Sequence, residues 1–143
     1  MEYITSRGFK LPDSSEEFAS SFWFNLWGRR LWPYEEVDIG HTLNWYESPC
    51  RAIVWKSRVA KIDRFGYEGK RSLASELISE WGAFDTAQPY FVDVSENGYC
   101  LVYRVLPLQR LNLSKPEDFK FPQQGWLRVD DRIARMWLSK TVP

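Results

Sequence analysis

The chain has 143 residues, of which 44% are hydrophobic and 27% charged, and its basic and acidic side chains balance. This length predicts a single domain, 1–143, with a substantial buried core, and no apolar run approaches the ~20 residues that a membrane helix needs. Residues 1–10 lack the apolar stretch of a signal peptide, so Cys50 and Cys100 are expected to be free thiols in a cytoplasmic protein.

The chain is rich in aromatic residues, with eight Trp, seven Tyr and nine Phe. A buried indole N–H needs a hydrogen-bond partner, so eight tryptophans exceed what a small core ordinarily uses. Some of them lie beside turn-forming residues, since Trp27 precedes Gly28 and Trp126 follows Gly125. Rings at turns can form a cage around a flat ligand, whereas rings within elements belong to a core, and the sequence leaves both interpretations open.

Charge is distributed along the chain in blocks of alternating sign. Residues 1–50 carry a net charge of −4, residues 51–71 of +5, residues 72–103 of −5 and residues 104–143 of +4. Such blocks can place a basic face on a protein that is neutral as a whole, and basic faces attract phosphates. The alternative is that solvated strand and helix faces balance one another in three dimensions.

The N-terminal half predicts a helix that ends near Gly28. Residues 13–16 have the spacing of a capping box, and Phe18, Phe22 and Leu26 recur at intervals of four, which is one helix face. A loop is expected over residues 29–41.

Two strands that form a hairpin follow. Residues 41–46 alternate in polarity, and residues 52–65 form a long strand candidate with Ile53, Trp55 and Val59 on a common face.

The second half predicts a helix over residues 72–81 and a strand over residues 89–94. Asn97-Gly98 has the sequence of a tight hairpin turn. Residues 99–106 alternate with apolar side chains on both faces, which is typical of a central strand.

The C-terminal part predicts a loop over residues 107–125, a short strand over residues 126–129, and a helix that begins after Asp130 or Asp131. The side chains expected to face the core from this last helix are Ile133, Met136 and Trp137. The order of elements predicts an α+β protein, with a small mixed sheet or barrel flanked by about three helices.

The sequence offers little catalytic chemistry. His41 is the one histidine, which excludes a two-histidine metal site, and a zinc site would need His41, Cys50, Cys100 and a carboxylate to converge. A Cys50–His41 nucleophile pair would need the hairpin to bring the two together. The motifs G-x-S-x-G, P-loop and G-x-G-x-x-G are absent. We therefore predict no catalytic residue, metal or cofactor, and expect the function to reside in a binding surface.

Four segments resemble the PUA-like superfamily and, within it, the EVE and ASCH domains. They are Trp27-Gly28, residues 40–46 (GHTLNWY), residues 53–59 (IVWKSRV) and residues 98–108 (GYCLVYRVLPL).

The departures from the family pattern are equally specific. His41 stands in place of the usual acid, Trp55 in place of a glycine, and the helix over residues 72–81 is an insertion. Residues 121–126 match no segment of the pattern.

The resemblance implies a pseudo-barrel that binds RNA or DNA and holds a modified or flipped base in an aromatic cage. By position, Trp27 is the first wall, and aromatic type and location add Trp55, Tyr90 and Trp126; stacking contributes about 1–3 kcal/mol per base. The candidates for contacts with a base edge are Asn25, Ser48, Gln123 and Gln124. The candidates for phosphate contacts are Arg29, Arg30, Arg51, Arg58, Arg64, Lys70 and Arg71.

Three functions follow from these observations. The first is a non-enzymatic nucleic-acid-binding domain. The second is a protein-interaction module of a phage, toxin–antitoxin or restriction system, with residues 72–103 as the contact surface. The third is an enzyme that acts on a nucleotide or RNA through carboxylates and arginines, for which perturbed carboxyl pKa values in a pocket would be the sign.

Overall fold

The computed structural model describes residues 1–30, 32–123, 125–130 and 132–140. Its strands, in chain order, are β1 (Glu2–Arg7), β2 (Trp23–Trp27), β3 (Thr42–Glu47), β4 (Ala52–Glu68), β5 (Asn97–Ser114) and β6 (Trp126–Arg128). Its helices are α1 (Ser15–Ser20), α2 (Lys70–Glu80), α3 (Pro89–Asp93) and α4 (Arg132–Leu138), and a 3-10 turn spans Ser48–Cys50.

The six strands form one mixed sheet in the order β2-β5-β4-β3-β1-β6. β1 and β3 are parallel, and the other neighbouring pairs are antiparallel. β4 and β5 pair along nearly their whole length, and three register shifts interrupt that pairing. Such bulges bend and twist a strand, and the sheet curls into a half-barrel. The predicted α+β class with a small mixed sheet and flanking helices is confirmed.

Three apolar clusters pack against this sheet. The inner cluster fills the concave side and includes Leu101, Tyr103 and Val105 of β5. The outer cluster packs α2 and α3 against the convex side and includes Cys100 and Val102. A third cluster packs α4 against one end of the sheet. β5 therefore contributes apolar side chains to both faces, as predicted for a central strand.

The predicted hairpin of β3 and β4 is confirmed, but one detail of its facing is wrong. Trp55 and Val59 belong to the inner cluster, whereas Ile53 belongs to the third cluster. A register shift between Ile53 and Trp55 separates the two residues, because a bulge breaks the strict alternation of faces. The helix predicted over residues 72–81 is confirmed as α2, with Gly82 just beyond its end at φ 140°.

The helix predicted to start at residues 13–16 and to end near Gly28 is wrong in its second half. Ser14 caps α1 by accepting from the N–H of Glu17 at 3.0 Å, and the helix ends at Ser20. The chain then forms β2, which pairs with β5. Apolar residues at intervals of four fit the pattern of a helix. Residues 23–27 form a strand instead, because they pair with β5 and because Trp and Phe favour strands.

Two further predictions in the middle of the chain are wrong. Residues 89–94 hold the short helix α3, with Pro89 at its first turn, where a missing N–H costs nothing. Asn97-Gly98 is not a hairpin turn, because Gly98 pairs with Tyr67 within the sheet. A Cβ on Gly98 would lie 2.2 Å from the carbonyl oxygen of Trp27, so the glycine permits a close approach of two strands.

The predicted loop over residues 107–125 begins too early, since β5 continues to Ser114. Pro107 is accommodated at a register shift of the β4–β5 pair. β1, for which the sequence predicted no element, occupies an interior position beside β3.

The predicted β6 and α4 are confirmed, but the buried face of α4 differs from the prediction. Ala134 and Trp137 are buried, whereas Ile133 and Met136 are exposed by 49% and 58%. Helix α4 is therefore rotated about its axis so that Ala134, a small residue, packs against the sheet. Asp131, one of the two predicted cap residues, lies outside the described residues.

Cys50 and Cys100 are free thiols, the first exposed and the second buried. Among the described residues, no group of three His, Cys, Asp or Glu side chains could hold a metal ion. No helix in the described part of the chain is both long and apolar enough to cross a bilayer.

Candidate functional site

The guanidinium of Arg7 is buried at the end of β1, with 7% of the residue exposed. Its Nη1 donates to Thr5 Oγ1 at 2.6 Å and to the Ser6 carbonyl at 3.1 Å. Its Nη2 donates to the hydroxyl of Tyr103 and to Asn25 Oδ1 at 3.5 Å. All of these acceptors are neutral, and no ion pair among the described residues includes Arg7. The buried carboxylate of Glu47, the register partner of Arg7 on β3, accepts from the N–H of Leu11 at 2.6 Å instead. The guanidinium is thus buried without an ion pair among the described residues, which is costly to maintain.

Aromatic rings compensate part of this charge. The Arg7 Cζ lies 4.7 Å from the centre of the Trp45 ring and 5.9 Å from that of Trp126. A guanidinium over a ring face is attracted by the ring quadrupole, with a gain of about 0.5–2 kcal/mol. That gain is smaller than the cost of burying an ion, so the site retains a capacity for an electron-rich ligand.

Two indole N–H groups of the inner cluster have no partner. The Nε1 atoms of Trp23 and Trp126 are buried without an acceptor among the described residues. By contrast, the Nε1 atoms of Trp45, Trp55 and Trp137 each donate to an oxygen at 2.7–2.9 Å. A buried donor without an acceptor costs about 1–3 kcal/mol, so a ligand that accepts from these groups would recover that cost.

Phe9 and Trp23 form a parallel pair beside this site. Their ring centres lie 6.2 Å apart at an interplanar angle of 8°, and Phe9 is 51% exposed. Phe9 lies two residues beyond Arg7 in a segment without regular structure. The pair therefore places an accessible aromatic face next to the buried guanidinium.

Tyr103 and Asn25 link β5 and β2 within the site. The Tyr103 hydroxyl donates to Asn25 Oδ1 at 2.7 Å. Burial raises the pKa of Tyr103 to about 12 although the charge of Arg7 opposes this, so the phenol keeps its proton near neutral pH. The site comprises Arg7, Asn25, Tyr103, Trp23 and Trp126, and we call it the Arg7 centre.

The four predicted cage residues do not form a single cage. Trp126 lies in the Arg7 centre, fully buried. Tyr90 reaches the same region, because its hydroxyl accepts from the N–H of Leu26 at 2.8 Å and interacts with the Asn25 side chain. Trp27 packs edge-on against Tyr34 at 6.2 Å. Trp55 is a core residue, 4% exposed, whose Nε1 donates to the carbonyl of Pro12.

Of the residues predicted for contacts with a base edge, the structure places Asn25 in the Arg7 centre. Ser48 lies in the 3-10 turn between β3 and β4, and Gln123 is exposed in the segment before β6. Gln124 lies outside the described residues.

The seven residues predicted for phosphate contacts are not brought into one patch. Arg51 lies before β4, in the left-handed region at φ 54°, whereas Lys70 and Arg71 lie beyond its other end. Arg64 donates to the carbonyl of Val37, and Lys70 to that of Val92. Arg30 forms an exposed ion pair with Glu35. The remaining four are exposed: Arg29, Arg51, Arg58 and Arg71.

Sequence reasoning missed Arg7, Phe9, Trp23 and Tyr103. Arg7 lies in a strand that was not predicted, and Trp23 lay within the predicted helix. The one sequence feature that pointed to this site was the abundance of tryptophan. It indicated that some indole N–H groups lack a partner in the core, but not which ones.

A second polar cluster is organised around Glu36. This carboxylate accepts from the hydroxyl of Tyr3 at 2.8 Å, from Trp32 Nε1 at 3.0 Å, and from Nε and Nη2 of Arg128 at 2.5–3.0 Å. The hydrogen bonds from Arg128 are the largest of the effects that lower the pKa of Glu36 to about 2. The carboxylate oxygens of Glu36 are thus occupied by donors of the protein itself. These hydrogen bonds connect the loop after β2 to β1 and β6.

Comparison with known proteins gives a structural likeness and no sequence match. No family profile and no curated protein matches the chain. Three solved structures match, those of the ASCH protein from Zymomonas mobilis and of two of its single-residue mutants. They are 12–15% identical to this chain, with TM-scores of 0.57–0.59, and the alignments cover 96% of this chain and 92–95% of theirs.

At this level of identity the likeness concerns the fold. It confirms the fold expected from the short motifs around Trp27-Gly28 and β3–β5. The chain has the fold of these ASCH proteins.

Proposed function

We propose that the protein binds single-stranded nucleic acid and holds one unstacked base at the Arg7 centre. The observation that carries the proposal is the buried guanidinium of Arg7, which forms no ion pair with a described residue and lies beside two indole N–H groups that lack an acceptor there. The resemblance to nucleic-acid-binding PUA-like domains supports the choice of ligand.

The base enters between Phe9 and Trp23, whose rings are already parallel. Phe9 is exposed and lies outside the sheet, so it can move to admit a base without disturbing strand pairing. Stacking on an aromatic ring contributes about 1–3 kcal/mol per base and suits any base. Insertion brings the edge of the base towards Arg7 and Asn25.

The groups that remain available at the Arg7 centre are donors. The indole N–H groups of Trp23 and Trp126 have no acceptor, and Arg7 stabilises partial negative charge. Carbonyl oxygens of a base satisfy such groups, whereas the exocyclic amino group of adenine is itself a donor. The centre therefore favours uracil, thymine or guanine over adenine.

The test is the binding of fluorescently labelled octanucleotides of uridine, of adenosine and of an abasic backbone, followed by anisotropy at constant salt. We expect uridine to bind at least about tenfold more tightly than adenosine, which corresponds to about 1.4 kcal/mol. Arg7→Met should reduce uridine binding to the abasic level. Arg135→Gln, an exposed cation on α4, changes the net charge equally and should keep the preference.

Circular dichroism and thermal unfolding would establish that Arg7→Met is folded before its binding is compared. Equal binding of uridine and abasic octamers by the unchanged protein would contradict the proposal. So would a folded Arg7→Met variant that keeps the preference.

A further inference from the structure

The convex face of the β4–β5 pair carries a group of cations that the Arg7 centre does not use. Along β5, Cys100 and Val102 point to the outer cluster, and Arg104 continues on the same face beyond them. Across the pair, Lys61 is the register partner of Arg104. Lys56 and Arg58 lie farther along β4, opposite Gln109 and Leu106. We call Lys56, Arg58, Lys61 and Arg104 the outer cationic strip.

Lys61 and Arg104 are like charges placed directly opposite each other on adjacent strands, an arrangement that destabilises a sheet. Both lie against Trp81, with Lys61 Nζ at 4.4 Å and Arg104 Cζ at 5.6 Å from the ring centre. Arg104 Nη2 also donates to the carbonyl of Trp81 at 2.6 Å. The tryptophan holds the two cations in place, but it does not neutralise them.

The described carboxylates leave the cations of the strip without an ion pair. None of its four members takes part in an ion pair with another described residue. The nearest acid along β4, Asp63, lies on the same face two residues beyond Lys61, opposite Val102, and accepts from the backbone N–H of Arg64 at 2.9 Å. The residues opposite on β5 are uncharged apart from Arg104 itself, and Leu106 is 51% exposed. The strip is thus a row of four exposed or half-buried cations, bounded at one end by Asp63.

We propose that the outer cationic strip binds the phosphodiester backbone of a nucleic acid. Residues on one face of a strand recur about every 6.6–6.8 Å. Each strand of a duplex carries one charge per ~3.4 Å of axis, so outward cations at this spacing meet every second phosphate, one phosphate per cation. Contacts of this kind position the polymer without reading its sequence.

This inference rests on the proposed function in that the ligand is a nucleic acid. The outer cationic strip is, however, a surface separate from the Arg7 centre. The Arg7 centre belongs to the concave side of the sheet, whereas the strip lies on the convex side. A bound strand therefore contacts the two surfaces with different nucleotides, and an oligonucleotide long enough to reach both binds more tightly than a short one.

The experiment measures the salt dependence of binding for a labelled uridine 20-mer. Arg58→Gln with Lys61→Gln removes two charges of the strip and spares Arg104, which holds the carbonyl of Trp81. The control, Arg132→Gln with Arg135→Gln, removes two exposed charges from α4. For a single strand the slope of log K against log salt should fall in magnitude by about 1.4 in the first double variant, and stay unchanged in the control.

An unchanged slope in Arg58→Gln/Lys61→Gln would overturn the inference while leaving the base preference measured with octamers intact. Conversely, a reduced slope together with an Arg7→Met variant that keeps the base preference would support the strip and refute the Arg7 proposal. Binding of polyglutamate of equal charge with the same affinity as the 20-mer would show that the strip is a surface for acidic protein, which would also overturn the inference.

Discussion

The guanidinium of Arg7 donates to the hydroxyl of Tyr103, although β3 and β4 separate their strands in the sheet. This bond crosses the concave side and requires the sheet to curl. Curling brings the N-terminal strand within reach of β5, and the bulges of the β4–β5 pair permit it. The Arg7 centre therefore exists because the sheet is bent.

Phe9→Ala tests the stacking half of the base site. We expect affinity for the uridine octamer to fall about 5- to 150-fold, which corresponds to the loss of about 1–3 kcal/mol of stacking. Stability should change little, because Phe9 is 51% exposed. Leu106→Ala, which truncates a side chain of equal exposure, 51%, is the control and should leave octamer affinity unchanged. An affinity within twofold of the unchanged protein would rule out insertion beside Phe9.

The indole N–H of Trp126 is tested by comparison with Trp137. Both side chains are fully buried, but Trp137 Nε1 donates to the carbonyl of Leu113 at 2.9 Å, whereas Trp126 Nε1 has no acceptor in the part of the chain that the structure describes. Replacing each tryptophan by Phe creates a void of similar size. The two variants therefore differ mainly in that Trp137→Phe loses the hydrogen bond to Leu113. Urea unfolding should show Trp137→Phe to be less stable than Trp126→Phe by about 1 kcal/mol. The reverse order would show that Trp126 has a partner in solution.

The Glu36 cluster predicts a dependence of stability on pH. Because folding lowers the pKa of Glu36 from 4.5 to about 2, the stabilisation is complete above about pH 4.5 and is lost as the pH falls towards 2. Glu36→Gln should cost about 1–2 kcal/mol at pH 7, a value reduced for the 26% exposure of the side chain, and less at pH 3. Urea unfolding at the two pH values measures the difference.

Glu35→Gln is the matched control for this prediction. Glu35 pairs with Arg30 at the surface, where the two side chains are 63% and 62% exposed. Its substitution should change stability by less than about 0.5 kcal/mol at either pH. A cost for Glu36→Gln that did not shrink between pH 7 and pH 3 would show that ionisation of Glu36 is not its source.

Gly98→Ala tests the close approach of β2 and β5. The added Cβ would lie 2.2 Å from the carbonyl oxygen of Trp27, so the strands must separate, at a cost of about 1–3 kcal/mol. Gly66→Ala is the matched control in β4, where the nearest atom would be at an ordinary 3.5 Å. That substitution should be neutral or stabilising by about 0.4–1 kcal/mol. Thermal unfolding of the pair would decide, and equal effects would contradict the structure.

The sequence determined those helices and strands that a local pattern of side chains predicts. The hairpin of β3 and β4, the helix α2 and the central position of β5 follow from alternation, helical spacing and apolar content on two faces. These patterns are reliable because each element buries its own apolar face. Together with short motifs around Trp27 and β3–β5, they were enough to indicate the PUA-like fold.

Tertiary structure alone decided the rest. Phe22 and Leu26 satisfied a helical spacing, yet they lie beside or within β2, because strand pairing with β5 outweighs a local pattern. The Arg7 centre joins side chains from β1, β2, β5 and β6, and the outer cationic strip depends on the register of Lys61 with Arg104. A sequence shows which residues are cations and which are aromatic. The curl of the sheet and the register of its strands determine which of these residues come into contact. Neither can be read from a local pattern, because both arise from contacts between segments far apart along the chain.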